Sequence, residues 1–256
     1  MTNIVALITP YKKNGKLDWL NLNFIINFHI KNKINLILLL GTTGESHNFS
    51  IYDFFDLVIF VKKFKIKFIF NIFDINIKTI FKKFFFLRNN RIIILISISK
   101  YILPNNISIY KYLKSINKFG VKIIFYNIPK RNSKIISFLL FNKLIKKKFF
   151  YFIKNSYNNI ISNLFFKKKN ILIFSGEDTN LFFFSFFTGT ISVYNNLFPK
   201  IFSKINKKII FYFKKNNFEI NPVLIKFFLF KSFLIKGSFN NLLLGINPFF
   251  FTQSQT

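Results

Sequence analysis

Eight short apolar runs punctuate the 256-residue chain, and their spacing limits its possible folds more than any other feature. They are NIVALIT (3–9), INLILLL (34–40), FIFNIF (68–73), IIILIS (92–97), KIIFYNI (122–128), FFYFIKN (149–155), NILIFSG (170–176) and TGTISV (188–193). Each has strand length, is rich in β-branched or aromatic residues, and is mostly continuous rather than alternating. Continuous apolar runs belong to strands covered on both faces, as inside a parallel sheet. Segments between them, such as 19–33 and 107–120, place apolar residues at helical spacing with Lys and Asn opposite. Eight strands with intervening helices predict an α/β protein, a (β/α)8 TIM barrel over residues 1–199, in preference to an open doubly wound sheet. The gap 177–187 is short for a helix, so the last unit is expected to be abbreviated. Beyond Pro199, the segments 201–216 and 222–237 have helical patterns. Residues 200–256 therefore read as a short C-terminal helical extension packed on the barrel.

Charge raises the question of a polyanionic partner. Lys and Arg total 39 against 8 Asp and Glu, a net charge of +31. Nearly all of the cations are lysine, with Arg only at 88, 91 and 131, and they are scattered along the whole sequence. Phe, Ile, Lys, Asn and Tyr are also the residues of A+T-rich codons. The reading is therefore compositional drift, with no specific nucleic acid as partner. The chain has no cysteine and two histidines, which argues against disulfides and Cys- or His-based metal sites. Residues 179–199 carry no charge and are long enough to span a bilayer. Their second half, rich in Gly, Thr, Ser and Asn, reads instead as a buried strand and its approaches, so no membrane association is expected. The N-terminus lacks a basic segment before its apolar stretch, and a cytoplasmic location is expected.

Chemistry in such a barrel belongs where strands end and βα loops begin. Directly after the second run stands GTTGES (41–46). Gly41 and Gly44 permit a tight turn, and the N–H groups and hydroxyls of Thr42 and Thr43 are suited to an anionic ligand. The fifth run ends in YNIPKR, offering the Tyr126 phenol for proton transfer and Arg131 as a fork for a carboxylate. At the end of the sixth lies Lys154. Burial disfavours an ammonium ion, and the free amine is the form that attacks a carbonyl. The seventh run ends in SGED (175–178).

In order and spacing, GTTGES, YNIP-K-R, the lysine at 154, SGED and NPVLIK (221–226) resemble the dihydrodipicolinate synthase family of the pyruvate-dependent class I aldolases and lyases. The likeness runs from ITPYKKNG near the N-terminus to about Lys226. It implies a lyase of lysine and diaminopimelate biosynthesis, condensing pyruvate with L-aspartate 4-semialdehyde. Lys154 would form the imine with pyruvate, with no dissociable cofactor and no metal. Tyr126 would donate and accept protons, Thr43 would bind the pyruvate carboxylate, and Thr42 would relay protons with Tyr101, supplied to the neighbouring subunit's site. Ile191 would touch pyruvate through its backbone, Gly176 would line the pocket, and Arg131 would grip the semialdehyde's carboxylate. A homo-oligomer, dimer or tetramer, follows from the shared tyrosine. The sugar-acid and N-acetylneuraminate lyases share the GTTGE and YN-P regions but characteristically lack an arginine at position 131. A degenerate barrel that binds nucleic acid non-specifically is the alternative from a different class. The chain departs from the family pattern at Asn155, usually Glu, and at Asn132, usually Thr.

Overall fold

A computed structural model of the protein describes residues 2–72, 74, 76–88, 92–98, 104–132, 135–157, 159–178, 186–199 and 222–232. Each of the eight apolar runs supplies one strand: β1 (Thr2–Ala6), β2 (Leu36–Leu39), β3 (Lys67–Ile72), β4 (Ile93–Ser97), β5 (Lys122–Asn127), β6 (Phe152–Asn155), β7 (Leu172–Ser175) and β8 (Gly189–Ser192). Every neighbouring pair is parallel, and β8 returns to β1, so the sheet closes into the expected barrel. Between the strands lie α1 (Trp19–Lys31), α2 (Ile51–Val61), α3 (Ile77–Leu87), α4 (Asn106–Asn117), the single turn α5 (Pro129–Asn132), α6 (Phe138–Lys146) and α7 (Ile160–Lys168). A further helix, α8 (Val223–Lys231), buries Ile225 and Leu229 in the core shared with the barrel. Residues 179–185 of the last unit, and 200–221 and 233–256 of the extension, lie outside the described residues. No described helix is long and apolar enough to cross a membrane.

The abundant Asn, Ser and Asp residues have a structural use at helix starts, where unpaired backbone N–H groups need acceptors. Asp18 caps α1, Asn76 caps α3, Asn105 caps α4 and Asn159 caps α7, while Ser50 and Asp53 form a reciprocal capping box on α2. The phenylalanines fill the layer between barrel and helices. Phe125 stacks on Phe150 at 5.3 Å and meets Phe141 edge-on at 5.8 Å, and Phe141 meets Phe166 at 4.9 Å. Edge-to-face contacts of this kind add to the burial of the rings themselves.

Inside the barrel, the period-two alternation of strands decides which residues face the axis. Ile4, Ala6, Leu38, Ile69, Leu95, Ile124, Phe174 and Ile191 form an interior apolar cluster. Tyr126 packs against it two residues beyond Ile124, and Phe152 two residues before Lys154 does the same. The same alternation aims Lys154, Gly176 and Val193 inward at the strands' C-terminal ends. That arithmetic, rather than any special local feature, builds the upper end of the barrel into a site.

One buried group outside that site shapes the acid response. His29 lies on the inner face of α1 with Leu22, Ile25 and Ile26, is 1% exposed, and has no hydrogen-bond partner for Nδ1 among the described residues. Burial lowers its pKa to about 4. The unfolded chain takes up this proton near pH 6.5, before the folded chain does, so stability present above pH 6.5 is lost as pH falls towards 4. In urea titrations, the stability of the protein relative to a His29→Leu variant should drop by about 3 kcal/mol between pH 7 and pH 4. A constant difference across that range would show that His29 is not held neutral.

Candidate active site

At the C-terminal end of the barrel a cavity of about 180 Å³ opens between the strand ends. Tyr126 and Lys154 are direct partners in the β5–β6 register, which puts both side chains on the cavity wall. Lys154 is buried, and its Nζ lies 4.3 Å from the centre of the Tyr126 ring. The Ser156 hydroxyl donates to the Tyr126 phenol oxygen at 3.5 Å. Gly176, on the neighbouring strand, keeps space for the lysine stem. A Cβ built there would sit 2.9 Å from Lys154 Cε and 2.1 Å from Ser156 Oγ.

The GTTGES turn closes another side of the cavity with Gly41, Thr42 and Thr43. Gly44 N–H donates to the Gly41 carbonyl at 3.0 Å and Glu45 N–H to the Thr42 carbonyl at 3.1 Å. The tight turn expected around Gly41 and Gly44 is present, and its left-handed residues are Leu40 (φ 58°) and Glu45 (φ 53°). Each costs about 1–2 kcal/mol relative to ordinary backbone. Gly44 is needed for closeness instead: a Cβ there would press on Leu40 N and Leu7 O, both at 3.1 Å. Thr9 holds the turn from β1's side by donating its hydroxyl to the Gly44 carbonyl at 2.7 Å.

Glu45 is not a cavity residue. It is fully buried beneath the turn and forms an ion pair and hydrogen bond with Lys226 of α8, 181 residues away in the sequence. Asn48 Nδ2 donates to the other carboxylate oxygen at 3.4 Å, and the Lys226 ammonium lies 4.8 Å from the centre of the Tyr11 ring. Burial pulls the Lys226 pKa down, and the charge of Glu45 opposes that shift. Burial, reinforced by Glu45, also raises the pKa of the Tyr11 phenol. The motif ending in Lys226 is therefore bound to the motif carrying the two threonines through a buried charge pair.

Sequence reasoning gave Asp178 no role beyond membership of SGED, yet its carboxylate organises the far wall. Asp178 Oδ2 accepts from the backbone N–H of Val193 at 3.1 Å and of Tyr194 at 3.4 Å, and the Ser192 hydroxyl also donates to the carboxyl. Burial raises its pKa to about 6, while these hydrogen bonds and the charge of Lys154 pull the other way. Tyr194 is pushed up to about 12 by burial and by Asp178. The turn so anchored is stitched to β1 as well, because Asn195 Nδ2 donates to the Ile4 carbonyl at 3.2 Å and Asn196 Nδ2 to that of Ala6 at 2.8 Å.

Lys154, Tyr126, Thr42, Thr43 and Gly176 thus share one cavity. Ile191 lies one inward position deeper in the barrel's apolar cluster, and Val193 and Tyr194 line the cavity above it. The backbone of Arg131 is in α5, immediately after β5, and its side chain lies outside the described residues, as does all of Tyr101. Where the sequence departs from the family pattern, Asn155 is buried in an amide network. It accepts from Asn127 Nδ2 at 2.8 Å and donates to Asn163 Oδ1 at 2.7 Å. Neutral partners on β5 and α7 satisfy the Asn155 amide.

An amine, a phenol and a hydroxyl-bearing turn around one small cavity suit imine chemistry on a keto acid. The sequence profile of the dihydrodipicolinate synthetase family matches residues 1–82 and 93–227. The 4-hydroxy-tetrahydrodipicolinate synthase of Wigglesworthia glossinidia brevipalpis is 33% identical over 187 residues, which cover 70% of this chain and 63% of that protein. The enzyme of the same name from Karelsulcia muelleri (strain GWSS) is 28% identical over 185 residues, covering 68% of this chain and 62% of that protein. The matched region therefore spans just under two thirds of the length of these relatives. The crystal structure of dihydrodipicolinate synthase from Aquifex aeolicus superposes with a TM-score of 0.87 at 25% identity, covering 96% of this chain and 93% of that one. With most of the chain matched by the profile and the barrel matched by the fold, this protein belongs to the dihydrodipicolinate synthetase family.

Proposed function

We propose that the chain is a 4-hydroxy-tetrahydrodipicolinate synthase, a lyase that joins pyruvate to L-aspartate 4-semialdehyde in lysine and diaminopimelate biosynthesis. The observation that carries this reading is the convergence of Lys154, Tyr126 and the Thr42–Thr43 turn on one cavity. The Lys154 amine adds to the pyruvate ketone, and loss of water leaves a protonated imine. The imine draws electrons from the adjacent methyl group, which gives up a proton to become an enamine. The enamine carbon attacks the aldehyde carbon of the second substrate, whose oxygen takes up a proton. The semialdehyde's own amino group then adds to the imine carbon, closing the ring and releasing Lys154. No metal or dissociable cofactor takes part in these steps.

Tyr126 carries the protons in this reading, which is supported by its ring lying beside the lysine and its hydroxyl being hydrogen-bonded by Ser156. Thr42 extends that relay to Tyr101 of a neighbouring subunit in a homo-oligomeric assembly, dimer or tetramer. Thr43 and the backbone at Ile191 hold pyruvate, Gly176 leaves room for it, and Arg131 clamps the carboxylate of the semialdehyde. A forked guanidinium suits that task better than an ammonium. In this reading residues 1–199 are the catalytic barrel, 200–256 are an extension packed on it, and the enzyme works in the cytoplasm. Supplying pyruvate with aspartate semialdehyde, and separately with sugar-derived aldehydes such as glyceraldehyde, tests the assignment. Rapid consumption of pyruvate only with the semialdehyde is expected. Preference for the sugar aldehyde would move the protein to the sugar-acid aldolases.

A further inference from the structure

Many of the lysines that look scattered along the sequence are gathered by the topology. In a parallel barrel every helix end and every strand start face the same way, opposite the cavity. Lys31 ends α1 and Lys33 follows it, Lys62, Lys63 and Lys65 stand between α2 and β3, and Lys67 opens β3, all exposed. Arg88 ends α3, and Lys118 and Lys122 flank the turn from α4 to β5, again exposed. Residues 146–148 at the end of α6 and 167–169 at the end of α7 are two exposed lysine triplets. The described carboxylates are elsewhere. Asp18, Asp53 and Asp56 lie no further than the middle of α1 and α2, and Glu45, Asp74, Glu177 and Asp178 follow strand ends. Among the described residues, this face of the barrel carries cations and no anion.

We propose that this N-terminal face binds single-stranded nucleic acid through its phosphates, without sequence preference. A helix macrodipole favours a cation in the last turn. It does not explain Lys67 and Lys122 at strand starts, Lys65 just before β3, or the exclusion of every described carboxylate. Cations on adjacent connections repel one another within a Debye length of about 8 Å, and a polyanion relieves that repulsion by displacing its own counterions. The ammonium group of lysine contacts phosphate as a point charge and lacks the fork that reads base edges, so binding is sequence-independent. Tyr151 decides between partners. It is 55% exposed at the start of β6, after the first lysine triplet, and its carbonyl accepts from Leu172 N–H at 3.1 Å, close beyond the second. An exposed aromatic ring between two cationic segments is a stacking platform for an unpaired base.

The test is fluorescence anisotropy with labelled oligothymidylate of about 20 nucleotides, using the full chain. Binding should weaken with salt at a log–log slope of about −3, as for four or five phosphate contacts on a single strand. Changing Lys146, Lys147 and Lys148 together to Gln should weaken binding at least about tenfold. Changing Lys12, Lys13 and Lys16 to Gln, which removes the same charge from the opposite, cavity-side face, should cost less than about twofold. Tyr151→Ser should cost about tenfold on the single strand and little on a duplex. Melting curves and pyruvate turnover should be unchanged in all three, and the triplet 167–169 serves as a second variant set if the first fails to fold. Equal losses from the two triple variants would reduce the effect to net charge and overturn the proposal. No binding, a Tyr151 variant without effect, or preference for phosphatidylserine vesicles would also overturn it.

Discussion

Lys154→Ala should yield a folded barrel that forms no adduct with pyruvate under borohydride, whereas the unaltered chain gains the reduced pyruvate mass on the peptide containing residue 154. Turnover should fall by more than about 10³-fold, because removal of a covalent nucleophile leaves only binding and orientation to act. Folding should survive, since the side chain ends in a cavity and fills no packed layer. Mass mapping and a melting curve on the same sample separate the two effects. An adduct at any other lysine, or trapping that persists in the variant, would remove the central assumption of the mechanism.

Gly176→Ala is the second large effect, and it tests geometry with every reacting group retained. The added methyl would lie 2.1 Å from Ser156 Oγ, 2.9 Å from Lys154 Cε and 3.2 Å from Lys154 Cγ. Real Cβ atoms are not found so close to such neighbours, so the lysine stem and the serine both have to move. Ser156 hydrogen-bonds to Tyr126, and the displacement reaches the phenol as well. A misplacement of about 1 Å can cost about 10²-fold in rate, and a loss of that order in kcat is expected with the melting temperature lowered only slightly. Slowed borohydride trapping with an unchanged final yield would show that the amine is intact and misdirected. A variant with full activity would mean that the cavity wall yields more readily than the close packing allows.

The strands were legible because a parallel barrel leaves its mark on each strand separately: both faces buried, hence a continuous apolar run. The placement of Lys154 and Tyr126 followed from the same signal, since both stand at the ends of such runs and alternation aims them inward. What could not be read was mostly long-range. Glu45 was visible as one of few carboxylates and Lys226 as part of a motif, but no spacing rule pairs residues 181 positions apart. Asp178 was hidden for the same reason, because its partners are backbone amides of another strand's turn. The sharp dihedrals at Leu40 and Glu45 could not be read either, since conformational preference is overridden where packing and a buried ion pair fix the backbone. Many of the lysines show the opposite case: each was in plain view, and only the common direction of eight strands reveals that those at helix ends and strand starts share a face.

The pairing of Glu45 with Lys226 also bears on the order in which this protein matures. On the ribosome, the threonine turn emerges with its carboxylate facing an interior that holds no cation for it. That charge stays unbalanced, at a cost of about 3–5 kcal/mol if the turn packs early, until the segment that carries Lys226 has been translated. The cavity therefore reaches its final shape only after the residue at 226 clears the exit tunnel. A nascent barrel with all eight strands already made still lacks the cation that its threonine turn requires.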